Sequence, residues 1–216
     1  MTRSVDPSFP RGLYAISNGP RADLLDVCAA ALAGGAQILQ YRDKTRDHPR
    51  RATEALALAK LCRHYRAVLI INDDVALAAA VNADGVHLGE DDADIGQTRA
   101  QLGPGAVIGV SCYDSLARAQ SAAAAGADYL AFGAFFASPT KPAARHADIE
   151  LLQQAQTLQR PLVAIGGITM DNAGALIDAG AHAIAVISAL FDASDVCATA
   201  QHFSGLFSTT DKNYTS

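Results

Sequence analysis

Short apolar runs recur along the chain at Gly12 to Ser17, Gln37 to Gln40, Val68 to Ile71, Gly85 to Leu88, Ala106 to Val110, Tyr129 to Phe132, Leu162 to Ile165 and Ala183 to Ile187. Their hydrophobicity is nearly continuous instead of alternating, the pattern of strands covered on both faces. Between them lie alanine-rich segments with helical spacing, such as Leu24, Val27, Cys28 and Ala31, or Leu151, Ala155 and Leu158. In another, Leu56, Ala59, Lys60 and Arg63 fall on two faces of one helix. Strands alternating with helices predict an α/β fold, and a closed (β/α)8 TIM barrel covers every strand, with side chains inside and helices outside. Four predicted helices end at Gly34-Gly35-Ala36, Asn82-Ala83-Asp84, Gly126-Ala127-Asp128 and Gly180-Ala181-His182, directly before a strand. Gly and Asn accept the left-handed backbone of a helix C-cap, so this punctuation has a mechanism. The weakest unit is Asp92 to Leu102, where Gly96, Gly103, Pro104 and Gly105 leave space for a short helix or an irregular connection.

The chain has 216 residues, half of them hydrophobic, enough for one sizeable core. The expectation is one catalytic barrel over residues 11–207, with flexible ends at 1–10 and 208–216 and no interior linker. A net charge of -5 argues against a general attraction to nucleic acid or to an anionic membrane surface. No stretch is apolar for the ~18 residues a membrane span needs. The nearest, Ala173 to Phe191, is broken by Asp178, Gly180 and His182 and reads as helix, turn and strand. Cys28, Cys62, Cys112 and Cys197 are widely spaced and form neither a zinc motif nor a disulfide framework, so a reduced, cytoplasmic location is expected. The basic group Arg42, Lys44, Arg46, Arg50 and Arg51 reads either as a solvated loop and helix start or as a local anion site.

In such a barrel the active site lies at the C-terminal ends of the strands. Strand two ends in Gln40-Tyr41-Arg42-Asp43-Lys44, where alternation puts Gln40, Arg42 and Lys44 on one side. Strands three and four end in Asn72-Asp73-Asp74 and in Gly89-Glu90-Asp91-Asp92, bringing carboxylates to one rim. Mg2+ is held by one or two carboxylates, water and substrate phosphates, which such acids can supply; helix capping by Asp73 or Asp74 is the competing use. The Ser111 hydroxyl can bond a substrate or cap a helix. After strand six, Ser138-Pro139-Thr140-Lys141-Pro142 holds a lysine between prolines, restricting its backbone so that the ammonium can be aimed at an anion. Gly166-Gly167 and Ile187-Ser188 follow strands seven and eight, the recurrent phosphate site of this fold, where glycine lets main-chain amides approach a ligand.

From about Gly12 to Phe191 these pieces resemble the thiamine phosphate synthase family in order and spacing. The resemblance rests on Gly-Gly-Ala-Gln-Ile-Leu-Gln-Tyr-Arg-Asp-Lys at 34 to 44, Ile-Asn-Asp at 71 to 73, Gly-Val-His-Leu-Gly at 85 to 89 with Asp92, Ile-Gly-Val-Ser at 108 to 111, Ser-Pro-Thr-Lys-Pro at 138 to 142 and Ala-Ile-Gly-Gly-Ile at 164 to 168. It implies a transferase of thiamine biosynthesis that joins 4-amino-2-methyl-5-hydroxymethylpyrimidine pyrophosphate to hydroxyethylthiazole phosphate, or its carboxylated form, releasing pyrophosphate. By the same resemblance Asp73 and Asp92 hold Mg2+, and Arg42, Lys44 and Lys141 clamp the pyrophosphate. Gln40, Asn72 and Ser111 meet the pyrimidine side, while Gly166, Gly167, Ile187 and Ser188, with Ser138 and Thr140 nearby, hold the thiazole phosphate. The family's reaction is thought to pass through a carbocation, which requires no protein nucleophile.

Asp74 stands where relatives often carry a basic residue, Glu90 where they often carry Gln, Ser138 where many have Thr and His182 where many have Asp. The first two add negative charge beside the expected metal, with opposite possible effects on Mg2+ and pyrophosphate. His87 lies mid-rim, where it can simply pack. The competing readings are a thiazole tautomerase-like barrel, which needs no complete pyrophosphate and metal set, and a non-catalytic barrel that binds a phosphate ligand.

Overall fold

Eight parallel strands close on themselves in chain order, each hydrogen-bonded to the next and the last to the first. They are β1 (Gly12–Ile16), β2 (Ile38–Tyr41), β3 (Val68–Asn72), β4 (Gly85–Leu88), β5 (Val107–Tyr113), β6 (Tyr129–Phe132), β7 (Leu162–Ile165) and β8 (Ala183–Val186). The computed structural model describes residues 9–90, 92–137 and 146–210. Seven strands match the apolar runs closely. β5 continues past Val110 to Tyr113, with a register shift between Ser111 and Tyr113 against β6. The apolar run stops at Ser111 because the side chains turn polar there. The ladder goes on because backbone pairing does not depend on side-chain polarity, and a bulge absorbs the extra residue.

The helices are α1 (Leu24–Ala33), α2 (His48–Tyr65), α3 (Val75–Val81), α4 (Ile95–Leu102), α5 (Leu116–Ala124), α6 (Glu150–Ala155), α7 (Ala173–Asp178), α8 (Ser188–Phe191) and α9 (Val196–Thr210). In α2 the core face is Ala55, Leu58, Ala59 and Cys62, and Leu56 points outward at 45% exposure. The connection after Asp92 becomes the short helix α4, opened by the Asp94 side chain accepting from Gln97 N. Asn82 closes α3 in the left-handed conformation, as its place before a strand predicts.

Strand alternation sorts the buried side chains into two cores. Leu13, Leu39, Ile71, Val86, Ile108, Leu130, Ala164 and Ile184 face the helices in the larger one. Tyr14, Ile16, Ile38, Ile70, Val107, Tyr129, Val163 and Ala183 point into the barrel in the smaller. Phe9 closes that inner core from below. Its ring stacks on Tyr129 with centroids 4.3 Å apart, and its carbonyl oxygen lies 3.0 Å from His182 Nε2. His182 therefore serves the floor, on the side away from the strand ends that carry the candidate residues.

Candidate active site

Counting in twos along the inward positions leads from apolar floor to polar rim. Ile38 is followed by Gln40 on β2, Ile70 by Asn72 on β3, and Val107 by Gly109 and Ser111 on β5. On β4 the same face carries His87, which pairs in register with Asn72 and Gly109. Gln40, Asn72, His87 and Ser111 thus share the upper interior because their strands place the same parity inward.

The acids and cations gather beside them. Lys44 Nζ donates to Asp73 Oδ2 at the rim. Asp73 has a positive φ of 61°, a turn conformation in which its side chain also hydrogen-bonds to Asp92. Asp92 Oδ2 in turn accepts from Gly89 N at 2.5 Å. Burial raises the Asp73 carboxyl, but the Lys44 ammonium and the bond with Asp92 outweigh it and hold the group below its usual range. Asp92 moves the other way, because burial and the neighbouring Asp73 charge outweigh the Gly89 amide. Two carboxylates sharing one proton or one cation behave like this.

Asp74 has a different fate. It caps α3 by accepting from Leu77 N at 2.9 Å and pairs with Arg51 at 2.8 Å. Of the two adjacent acids, the cap is Asp74, and Asp73 is left facing the rim. Arg50 is likewise committed, to Asp43 at 2.7 Å, Glu54 at 2.9 Å and Asp47 at 3.3 Å. Arg50 and Arg51 are thus taken up by ion pairs at the start of α2, Arg51 with a side chain only 12% exposed, while half-buried Arg42 and exposed Lys44 stand at the end of β2. Glu90 is exposed on the same loop as Asp92.

Ser115, not Ser111, caps α5 by accepting from Arg118 N at 3.2 Å. The Ser111 hydroxyl lies 2.8 Å from His87 Nε2. Burial pushes His87 down to about 4, so the imidazole is neutral at physiological pH. No sequence pattern marks Arg118. Its Nε donates to Ser111 O at 2.6 Å and its Nη2 to Gly89 O at 3.1 Å, strapping the ends of β4 and β5 together. Its partners are carbonyl oxygens, which leave no signature in a sequence.

Across the mouth a pocket is lined by Ala137, residues 165–169 and residues 185–189, which include Gly166, Gly167, Ile187 and Ser188. Gly166 and Gly167 have φ of 101° and 63°, and a Cβ on Gly167 would come within 2.6 Å of the Phe136 and Ala137 carbonyl oxygens. The diglycine is thus required by both backbone angle and space. Ser138, Thr140 and Lys141 lie outside the described residues; Ala137, immediately before them, lines the pocket.

Among the described residues no group of three or more His, Cys, Asp or Glu is placed to hold a metal ion. The pair Asp73 and Asp92 nevertheless suits Mg2+, which needs only one or two carboxylates when a phosphorylated substrate completes its shell. That Asp73 already gathers the positive charge of Lys44 supports the fit. Burial pushes the Cys28, Cys62 and Cys112 thiols up to about 12, which keeps them protonated and poor ligands or nucleophiles. Among the described residues no helix is long and apolar enough to cross a membrane.

Residues 13–190 match the family described as thiamine monophosphate synthase. The thiamine-phosphate synthase of Methylobacillus flagellatus is 54% identical over 209 residues, spanning 96% of this chain and all of that protein. That of Thiobacillus denitrificans is 53% identical over 203 residues, covering 93% of this chain and 96% of its own. Among solved structures, thiamine phosphate pyrophosphorylase from Pyrococcus furiosus superimposes with a TM-score of 0.83 at 34% identity, over 92% of this chain and 96% of that one. The 3-hexulose-6-phosphate synthase of Salmonella typhimurium, at 18% identity and a TM-score of 0.68, shares the fold alone.

Proposed function

The chain belongs to the thiamine monophosphate synthase family and has the transferase activity of thiamine biosynthesis that its relatives are named for, and we propose that a rim in two halves carries that activity out. One half takes a pyrimidine methyl pyrophosphate, the other a hydroxyethylthiazole phosphate. The observation that carries this reading is the placement of the Lys44, Asp73 and Asp92 cluster across one mouth from the glycine-walled pocket of Gly166, Gly167, Ile187 and Ser188.

On the first side Arg42, Lys44 and Lys141 neutralise pyrophosphate oxygens, and Gln40, Asn72 and Ser111 orient the pyrimidine. Asp73 and Asp92 hold Mg2+, which when bound supplies further charge neutralisation at the leaving group. On the second side main-chain amides at Gly166, Gly167, Ile187 and Ser188 bind the thiazole phosphate, with Ser138 and Thr140 beside it. The carbon–oxygen bond from the pyrimidine methylene to pyrophosphate breaks, its electron pair leaving with the oxygen. The thiazole nitrogen lone pair then forms the new carbon–nitrogen bond. Fixed cations lower this barrier because charge grows on the leaving group as the bond stretches. No side chain need act as nucleophile. The setting is the cytoplasm, where thiols stay reduced.

Thiamine phosphate should form when both substrates are supplied with Mg2+, and no product with any divalent cation would overturn the reading. Asp73→Asn or Asp92→Asn should raise the Mg2+ concentration for half-maximal rate by about tenfold or more, the worth of one charge-assisted contact. A Mg2+ titration of the rate that superimposes on the unmodified protein's for both variants would remove these residues from the metal site. Lys141→Ala should sharply reduce turnover; unchanged turnover would remove it from the clamp.

A further inference from the structure

Four hydrogen bonds run in series across the barrel interior. Gln40 Nε2 donates to Tyr14 Oη at 2.8 Å, and Tyr14 Oη lies 2.8 Å from Tyr129 Oη. Tyr129 Oη lies 2.8 Å from His87 Nδ1, and His87 Nε2 lies 2.8 Å from Ser111 Oγ. The two ends sit on β2 and β5, which are not neighbours in the barrel. We propose that Tyr14, Tyr129 and His87 are positioning residues whose hydrogen-bonded chain fixes Gln40 as an acceptor and Ser111 as a donor toward the pyrimidine substrate, each end setting the other.

The number of protons available fixes the direction of every link. Gln40 Nε2 can only donate, so the Tyr14 oxygen accepts and its own proton must serve the second bond. The Tyr129 proton then serves the third bond, which makes His87 Nδ1 the acceptor and places the single ring proton on Nε2. That proton serves the fourth bond, so the Ser111 hydroxyl turns its proton outward, while Gln40 presents its amide oxygen. Reversing the amide reverses every link and exchanges both roles together. Any mixed state leaves one link with two protons or with none, a costly defect inside a barrel.

The packing around the middle of the chain points the same way. Tyr129 lies between Phe9, stacked at 4.3 Å, and the His87 ring, stacked at 5.6 Å, so its hydroxyl has a fixed direction. Gly109 reserves the space: a Cβ there would come within 1.8 Å of Tyr129 Cζ and 2.3 Å of its oxygen. An apolar core needs neither a hydroxyl at this spot nor a glycine to admit it.

The inference rests on the proposed reading of Gln40 and Ser111 as contacts to the pyrimidine. An aminopyrimidine offers an N–H to an acceptor and lone pairs to a donor, and one proton order meets both at once. The chain thereby favours a substrate carrying an amino group over one carrying a carbonyl at that position.

The test is a mutant cycle at saturating thiazole phosphate. Gln40→Met, Ser111→Ala and the double variant are made in the unmodified protein and in Tyr129→Phe, and kcat/KM for the pyrimidine pyrophosphate is measured. In the unmodified background the combined loss should differ from the product of the single losses by about 3- to 10-fold, the coupling of groups in one network. In Tyr129→Phe the losses should simply multiply, and KM for thiazole phosphate should stay constant throughout. That comparison separates coupling through the chain from coupling through the shared substrate. If each single change costs activity but the factors multiply in both backgrounds, or if the coupling survives Tyr129→Phe, the chain is idle and the site reading stands. If neither end variant alters the kinetics, the site reading fails and takes the chain's role with it. Should Tyr129→Phe not fold, Tyr14→Phe cuts the chain beside Gln40 and carries the same expectations.

Discussion

Asp73 and Asp74 adjoin in sequence, yet one faces the mouth and the other opens a helix. Asp74 shares its charge with Leu77 N and Arg51, so it adds little uncompensated negative charge to the rim. Gln40, Asn72, Asp73 and Ser111 stand out as polar residues at the ends of apolar runs. Tyr14 and Tyr129 do not, because a tyrosine within an apolar run reads as core and its hydroxyl partner lies 115 residues away. Gly109 reads from the sequence only as part of a strand and of the Ile-Gly-Val-Ser piece. Its value lies in the empty space it gives the phenol, so Gly109→Ala should cost about 1–3 kcal/mol of stability by overpacking. It should also lower kcat/KM for the pyrimidine substrate. Denaturant melts and kinetics check both, and an unchanged protein would show that the Tyr129 ring can shift without consequence.

At the level of elements, the strands were legible because burial on both faces forces an apolar run that turns into helix punctuation at its end. The end of β5 was not, since its last residues pair through backbone and bulge. Helix starts were legible as a set of capping candidates, but choosing between Asp73 and Asp74, or between Ser111 and Ser115, needed the chain path. Seven-residue α3 depends heavily on its cap. Asp74→Ala should therefore destabilise the protein by about 1–2 kcal/mol, from the lost cap and a partly exposed ion pair. For a chain of this size that lowers the melting temperature by about 2–8 °C. The Mg2+ titration of the rate should not move, in contrast to Asp73→Asn. A variant that melts normally but needs more Mg2+ would reverse the roles given to these two acids.

For the whole molecule, acid response reports how β2 is tied to α2. The Asp43 carboxylate is buried, accepts from Thr45 N at 2.7 Å and lies 2.7 Å from Arg50, whose guanidinium also holds Glu54; Glu54 in turn accepts from Tyr41 Oη at 2.6 Å. Burial raises the Asp43 carboxyl, but Thr45 and Arg50 together outweigh it and hold the group below its usual range. A carboxyl lowered on folding stabilises the protein above its unfolded value, about 4, and loses that contribution as pH falls through its folded value. Asp43→Asn should thus cost about 1–3 kcal/mol near neutrality. The gap from the unmodified protein should begin to narrow as pH falls below about 4 and close once pH lies below the folded value, where both chains carry an uncharged group. Unfolding free energies measured from neutral to acid pH check this, and a gap independent of pH would contradict it.

The floor of the barrel has a practical side. Phe9 enters it beneath Tyr129, and the Arg11 guanidinium lies 5.4 Å above the Phe207 ring of α9, so the residues just before β1 and the end of α9 meet there. The mouth with Asp73 and Gly167 opens on the opposite end. A surface tether or a fused partner joined next to Phe9 would present the catalytic mouth outward. A short peptide bridging the residues beside Phe9 and Phe207 would let the sequence be restarted elsewhere without crossing the path of a substrate.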